Sequence, residues 1–140
     1  MIEKEIVKMR EILFRGKDVI TDDWIYGVPV SNGYITCIFK LTDGVSEMTG
    51  FQVKTETVGQ YTGLCDRNGK KIFEGDIIEY EEQYGIARYS VAYRNKSACF
   101  CVKSCNDIIM GDFTFYDSKK CKVIGNVHSN LELLGATEND

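Results

Sequence analysis

The stretch Thr57-Val58-Gly59-Gln60-Tyr61-Thr62-Gly63-Leu64-Cys65-Asp66-Arg67-Asn68-Gly69-Lys70-Lys71-Ile72-Phe73-Glu74-Gly75-Asp76-Ile77-Ile78 decides how the chain folds. Val58–Leu64 and Lys71–Phe73 read as two strands joined by Asp66-Arg67-Asn68-Gly69. Asp at the first turn position, Asn at the third and Gly at the fourth suit a type I turn followed by a left-handed Gly bulge. Glu74-Gly75-Asp76 then turns the chain into Ile77-Ile78-Glu79-Tyr80. Strand, tight turn and strand again, with no helical period between, point to an antiparallel β structure.

The pattern continues on both sides. Upstream, Trp24–Val30 faces Tyr34–Phe39 across Ser31-Asn32-Gly33, where Asn-Gly supplies the positive φ angles of a tight hairpin. Period two puts Ile35, Cys37, Phe39 and Leu41 on one face, expected to be buried. Pro29 cannot donate to a ladder and marks an edge or a bulge. Met9–Gly16 reads as a strand closed by Gly16, and residues 1–8 have a spacing a short helix tolerates. Downstream, Ile86–Tyr93 alternates, with Tyr89, Val91 and Tyr93 on one side. Arg94–Ser97 is its turn and Ala98–Val102 the return strand. Phe113–Tyr116 and Lys122–Val127 read as two more strands. Asn130–Leu134 is long enough for about one helical turn.

Bulk properties bound the function. With 140 residues, 44% hydrophobic and 27% charged, the chain can bury a core without disulfides or metals. Thirteen Gly and eight Tyr beside one Pro favour turns and strands. A net charge of −4 works against a non-specific nucleic-acid binder, although 17 Lys and Arg leave room for a local patch. No run approaches the roughly 18 apolar residues of a membrane span. The first residues lack the apolar core of a signal peptide. The expected compartment is therefore a reducing cytosol, where all six cysteines stay as thiols.

The central stretch resembles the core motif of the YopX-type phage proteins: Tyr61-Thr62-Gly63-Leu64, the Asp66-Arg67-Asn68-Gly69 turn, then Ile72-Phe73 and Glu74-Gly75-Asp76. Met9–Gly16 resembles that family's start, and Val123–Val127 with Leu131–Leu134 its ending. The resemblance implies a mainly β fold with antiparallel strands and an SH3-like barrel, with short helical segments near the termini. It also implies a phage or prophage origin, and so the cytoplasm of a bacterial host cell. It carries no activity. The organisation expected is an extension at 1–8, one β domain at 9–134 and a polar tail at 135–140.

Few residues could do chemistry. Cys99-x-Cys101-x₃-Cys105 with Cys121 lacks the second knuckle of a structural zinc site, so these read as buried or half-exposed thiols rather than zinc ligands or a redox pair. His128, the one histidine, lacks a nucleophile elbow and reads as a loop residue. Glu74 and Asp76 could pose as an acid pair or hold a hard metal; with Glu79, Glu81 and Glu82 they read instead as a solvated acidic edge. No catalytic residue, cofactor or metal is expected. Tyr26, Tyr34, Tyr80, Tyr84, Tyr89 and Tyr93 exceed what a small core needs, although more than half of them are expected to line it.

Two functions follow. The first is a non-catalytic binding or assembly protein acting through protein–protein contacts, its partner a second copy or another protein, since small barrels leave edge strands to protect. The second is nucleic-acid binding through Arg67, Lys70, Lys71, Lys119, Lys120 and Lys122. No membrane partner is expected.

Overall fold

The structure, a computed structural model, describes residues 10–31, 33–40 and 46–135. Residues 1–9, Asn32, Leu41 and the tail from 136 lie outside them, as does the side chain of Phe39.

The strands, in chain order, are β1 (Phe14–Lys17), β2 (Trp24–Ser31), β3 (Tyr34–Lys40), β4 (Ser46–Gln52), β5 (Gly59–Cys65), β6 (Lys71–Phe73), β7 (Asp76–Glu82), β8 (Gly85–Arg94), β9 (Cys99–Lys103), β10 (Ile109–Asp112) and β11 (Cys121–Asn126). One helix, α1 (Phe115–Lys120), precedes β11, and 3₁₀ turns span Thr55–Thr57 and Leu131–Leu134. Among the described residues every pairing is antiparallel. The fold is mainly β, as its turn-rich sequence predicts.

The strands form two sheets, ordered β4-β3-β2-β1-β5-β6 and β10-β9-β8-β7-β11. They wrap barrel-like around shared apolar side chains, although among the described residues no pairing closes the ring. Ile72 of the first sheet packs with Ile78, Val91, Val102 and Cys121 of the second, and Phe113 seals the end. Leu64, Tyr80, Tyr89 and Phe100 pack around this core from its rim. A second buried group, Ile35 and Val53, fills the space under β1, where Gly16 admits them closely.

The expected turns are present. Asp66 N donates to Lys70 O at 2.8 Å and Gly69 N to Asp66 O at 2.9 Å, with Gly69 at φ 83°. Pro29 sits beside a register shift, beyond the part of β2 that β1 covers, so its missing N–H leaves no gap. Ile35 is fully buried as predicted, and Cys37 on the same face is half-buried.

Three expectations need correction. Among the described residues the first strand begins at Phe14, leaving Arg10–Leu13 outside it, and runs through Gly16 to Lys17. Gly16 does not close it, because its bare α-carbon is what lets Val53 approach. Phe113–Tyr116 is no strand. Thr114 caps α1 there: its hydroxyl accepts from Asp117 N while Asp117 accepts from Thr114 N at 2.9 Å. That Thr-x-x-Asp spacing is a helix-start signal that outweighs the β propensity of the two flanking aromatics. Lastly, β4 and β10 were missed, since Gly50 and Gly111 break the apolar alternation on which strand recognition rests.

Two glycines should respond differently to a methyl group. At Gly69 an added Cβ meets nothing within 4 Å, so only the positive φ resists it. Gly69→Ala should cost about 1–2 kcal/mol. At Gly27 the Cβ would lie 2.2 Å from the Thr36 carbonyl oxygen, in the β2–β3 ladder. Gly27→Ala should therefore cost about 3 kcal/mol through forced strand separation. Lys70→Ala, exposed, should be neutral. Urea titration checks the order Gly27 > Gly69 > Lys70, and equal losses would refute the turn assignment.

Candidate functional site

The motif residues are the place to look for chemistry, and each has a structural partner. Asp66 is 3% exposed at the base of the hairpin turn. One carboxylate oxygen accepts from Asn68 N and Lys70 N, both at 2.9 Å; the other accepts from Val123 N on β11, also at 2.9 Å. Burial pushes this carboxyl up, but the three amides and the Lys70 charge outweigh it, leaving its pKa below the ordinary value. Thr62 Oγ1 donates to Ile72 O at 2.8 Å, bracing the same hairpin. The turn is thereby fastened to β11, and Arg67 N donates to Cys121 O at 3.0 Å.

Asp76 is the largest departure from expectation. It is 2% exposed, not solvated. One oxygen meets Arg15 Nη2 at 2.6 Å and the other accepts from Phe73 N at 2.8 Å. Arg15, 5% exposed, lies against the rings of Trp24 (4.1 Å from its centroid) and Phe73 (4.7 Å). Burial pushes the Asp76 carboxyl up, and the guanidinium and the Phe73 amide oppose that. Glu79 is also buried, facing Arg88 at 2.9 Å and Lys122 at 3.6 Å. Glu74 accepts from Gln60 N at 2.9 Å. Of the supposed acidic edge only Glu81 and Glu82 are exposed, because β7 is buried on both faces from Asp76 to Glu79 and comes free only at its end.

The six basic residues lie in the β5–β6 hairpin, on α1 and on β11. Lys70 and Lys71 line a groove of about 380 Å³ with Leu13, Arg15, Tyr26 and Phe73. Lys71 is tied to Glu11 at 3.0 Å. Arg67 joins Lys120 and Lys122 around Cys121, where Lys122 already faces Glu79. Lys119 lies 5.1 Å from the centre of the Phe115 ring. Lys71 and Lys122 thus carry carboxylate partners.

The six cysteines are free thiols. Cys101 and Cys121 are fully buried and Cys105 is exposed. Burial pushes the Cys121 thiol up to about 12 and raises Cys101 as well, which suppresses the nucleophilic thiolate. Among the described residues no three His, Cys, Asp or Glu side chains gather as metal ligands would. His128 lies in the loop after β11, its ring 6.2 Å from that of Trp24. Desolvation and the nearby charges of Arg15 and Lys17 lower its pKa, so it is neutral at pH 7.

The surface is more apolar than expected. Tyr26, Tyr34, Tyr84 and Tyr93 are exposed, and only Tyr80 and Tyr89 of the six pack on the core. Edge strand β10 carries exposed Ile109 and Met110, preceded by exposed Ile108. Beside it opens a cleft of about 440 Å³, floored by Tyr80, Tyr89 and Val102 and walled by Met110–Asp112 and α1. Sequence reasoning missed this feature. The run Ile108-Ile109-Met110 was its only signal, and Gly111 concealed it.

An antiparallel β protein whose motif residues serve the scaffold is what these observations define. The chain belongs to the YopX family: the model of that family, described as YopX protein, matches residues 13–135. It is also similar to a solved structure, described as the crystal structure of protein EF1440 from Enterococcus faecalis. The two are 26% identical with a TM-score of 0.58, over 90% of this chain and 99% of that one. No curated protein matches the chain. Among the described residues no helix is long and apolar enough to cross a membrane.

Arg15→Met should cost about 3–5 kcal/mol, because it strands the Asp76 charge in the interior. Arg15→Met/Asp76→Asn should recover part of that loss, since an amide oxygen still accepts from Phe73 N. A double variant no more stable than the single one would contradict the pairing. Asp66→Asn should cost about 2 kcal/mol at pH 7. A lowered pKa contributes stability that is present above the unfolded value near ~3.9 and lost as pH falls through the folded value. The gap between wild type and Asp66→Asn should therefore narrow below about pH 4; a pH-independent gap in urea titrations would refute the charged assignment.

Proposed function

We propose that the chain is a phage- or prophage-encoded binding or assembly protein that works by protein–protein contact in the host cytoplasm and catalyses no reaction. The observation that carries this reading is the outer edge of β10, unpaired among the described residues and flanked by exposed Ile108, Ile109 and Met110. An unpaired edge with apolar flanks is a ready site for another chain. Exposed tyrosines support it further, since they offer large contact area at low entropic cost. The acids that might have done chemistry are held by Arg15, Arg88 and backbone amides.

One observation favours the second reading, nucleic-acid binding: Lys70 and Lys71 rim a groove that also holds the aromatic rings of Tyr26 and Phe73. Base stacking and phosphate contacts use such pairs. Against it, Arg15 and Lys71 in that groove already hold carboxylates.

Sedimentation at micromolar concentration, with and without host-cell extract, separates the readings. A self-associated species or a discrete complex with host or phage protein, burying more than about 1,000 Å², supports protein contact. A monomer that binds single-stranded oligonucleotide tightly, and loses that affinity between about 50 and 200 mM salt, reverses the order.

A further inference from the structure

The edge of β10 and the cleft beside it have a definite chemistry. The register of β10 on β9 shifts between Ile109 and Gly111, so Met110 is the extra residue of a bulge. A bulge bends an edge and spoils flat pairing with an identical copy. Acid also marks the end of the strand, at Asp112. The cleft is acidic too: Glu81, Glu82, Asp112 and Asp117 line it against Lys120 alone. Its floor, by contrast, is the aromatic pair Tyr80 and Tyr89, with rings 5.9 Å apart.

We propose that this cleft takes an extended, basic segment of another protein, which adds as a strand to the free edge of β10. The proposal rests on the protein-contact reading and deepens it by naming the partner's chemistry. Main-chain hydrogen bonds to β10 supply affinity, and every second side chain of the added strand faces the cleft. Apolar residues of that face lie on Tyr80, Tyr89 and Met110, and its basic residues on the carboxylates beside them. Lys or Arg residues meet Glu82 and Asp112, both exposed and without a cationic partner among the described residues. The carboxylates select the sign of the partner's charge and speed its encounter. Asp117 is held by the α1 cap, so it shapes the field of the cleft without needing to move.

The test is selection of random decapeptides displayed against the full chain, followed by fluorescence anisotropy with the best synthetic peptide and amide chemical-shift mapping. Expected are peptides that carry both Lys or Arg and apolar residues among every-second positions, shifts centred on Ile109–Asp112, and at least about ten-fold weaker binding to Glu82→Lys/Asp112→Lys. That variant changes only exposed side chains, and its thermal melt should match wild type. Met110→Ala, also exposed, gives a second readout through the apolar face and should weaken binding without altering the salt dependence. Enriched peptides without a basic bias, shifts elsewhere, unchanged affinity in the charge-reversed variant, or no enrichment would overturn the proposal. Failure of protein contact as such would show separately, in sedimentation with extract, where no peptide is used.

Discussion

The ion pair between Arg15 on β1 and Asp76 at the start of β7 is the contact on which the rest of the structure depends. It joins residues 61 positions apart and bridges the two sheets where they meet. Burying two charges is unfavourable in itself, so the pair persists only because its surroundings are built for it. Trp24 and Phe73 cover the guanidinium, and the Phe73 amide takes the second carboxylate oxygen. Phe73 therefore serves the pair twice, through its ring and through its backbone. Its strand, β6, also delivers Ile72 into the core of the second sheet.

Asp66 repeats the same device at the other end of the β5–β6 hairpin. There a buried carboxylate accepts from its own turn and from β11. The hairpin is thus pinned at the tip by Asp66 and at the base by Asp76, and both sheets are organised around it. The most distinctive stretch of the sequence is rich in Gly and Asp, and both of its buried aspartates are engaged in holding the scaffold. What remains available to a partner lies elsewhere, on the β10 edge and the exposed tyrosines.

The sequence made the scaffold legible wherever turn chemistry was local. Asp66-Arg67-Asn68-Gly69 and Glu74-Gly75-Asp76 fix their turns within four residues, and the structure follows them. Pro29 announced its bulge because a missing N–H has few permitted places. Long-range pairing was not legible. Nothing near Asp76 in the chain signals Arg15, and a run of acids on β7 looks solvated until the partners of Asp76 and Glu79 are known. The α1 cap shows the opposite failure: Thr114 and Asp117 held the signal, but the aromatics between them drew the reading toward a strand. The β10 edge escaped because a single bulge at Met110 breaks the period on which strand recognition relies.

Trp24, the one tryptophan, lies against Arg15 and gives a direct view of whether that pair makes the two sheets one cooperative unit. Equilibrium unfolding followed by Trp24 fluorescence and by far-ultraviolet circular dichroism should give coincident transitions in wild type. In Arg15→Met the fluorescence transition should fall to lower denaturant than the dichroism transition, as the first sheet releases before the second. Transitions already separate in wild type, or still coincident in Arg15→Met at the wild-type midpoint, would contradict the account.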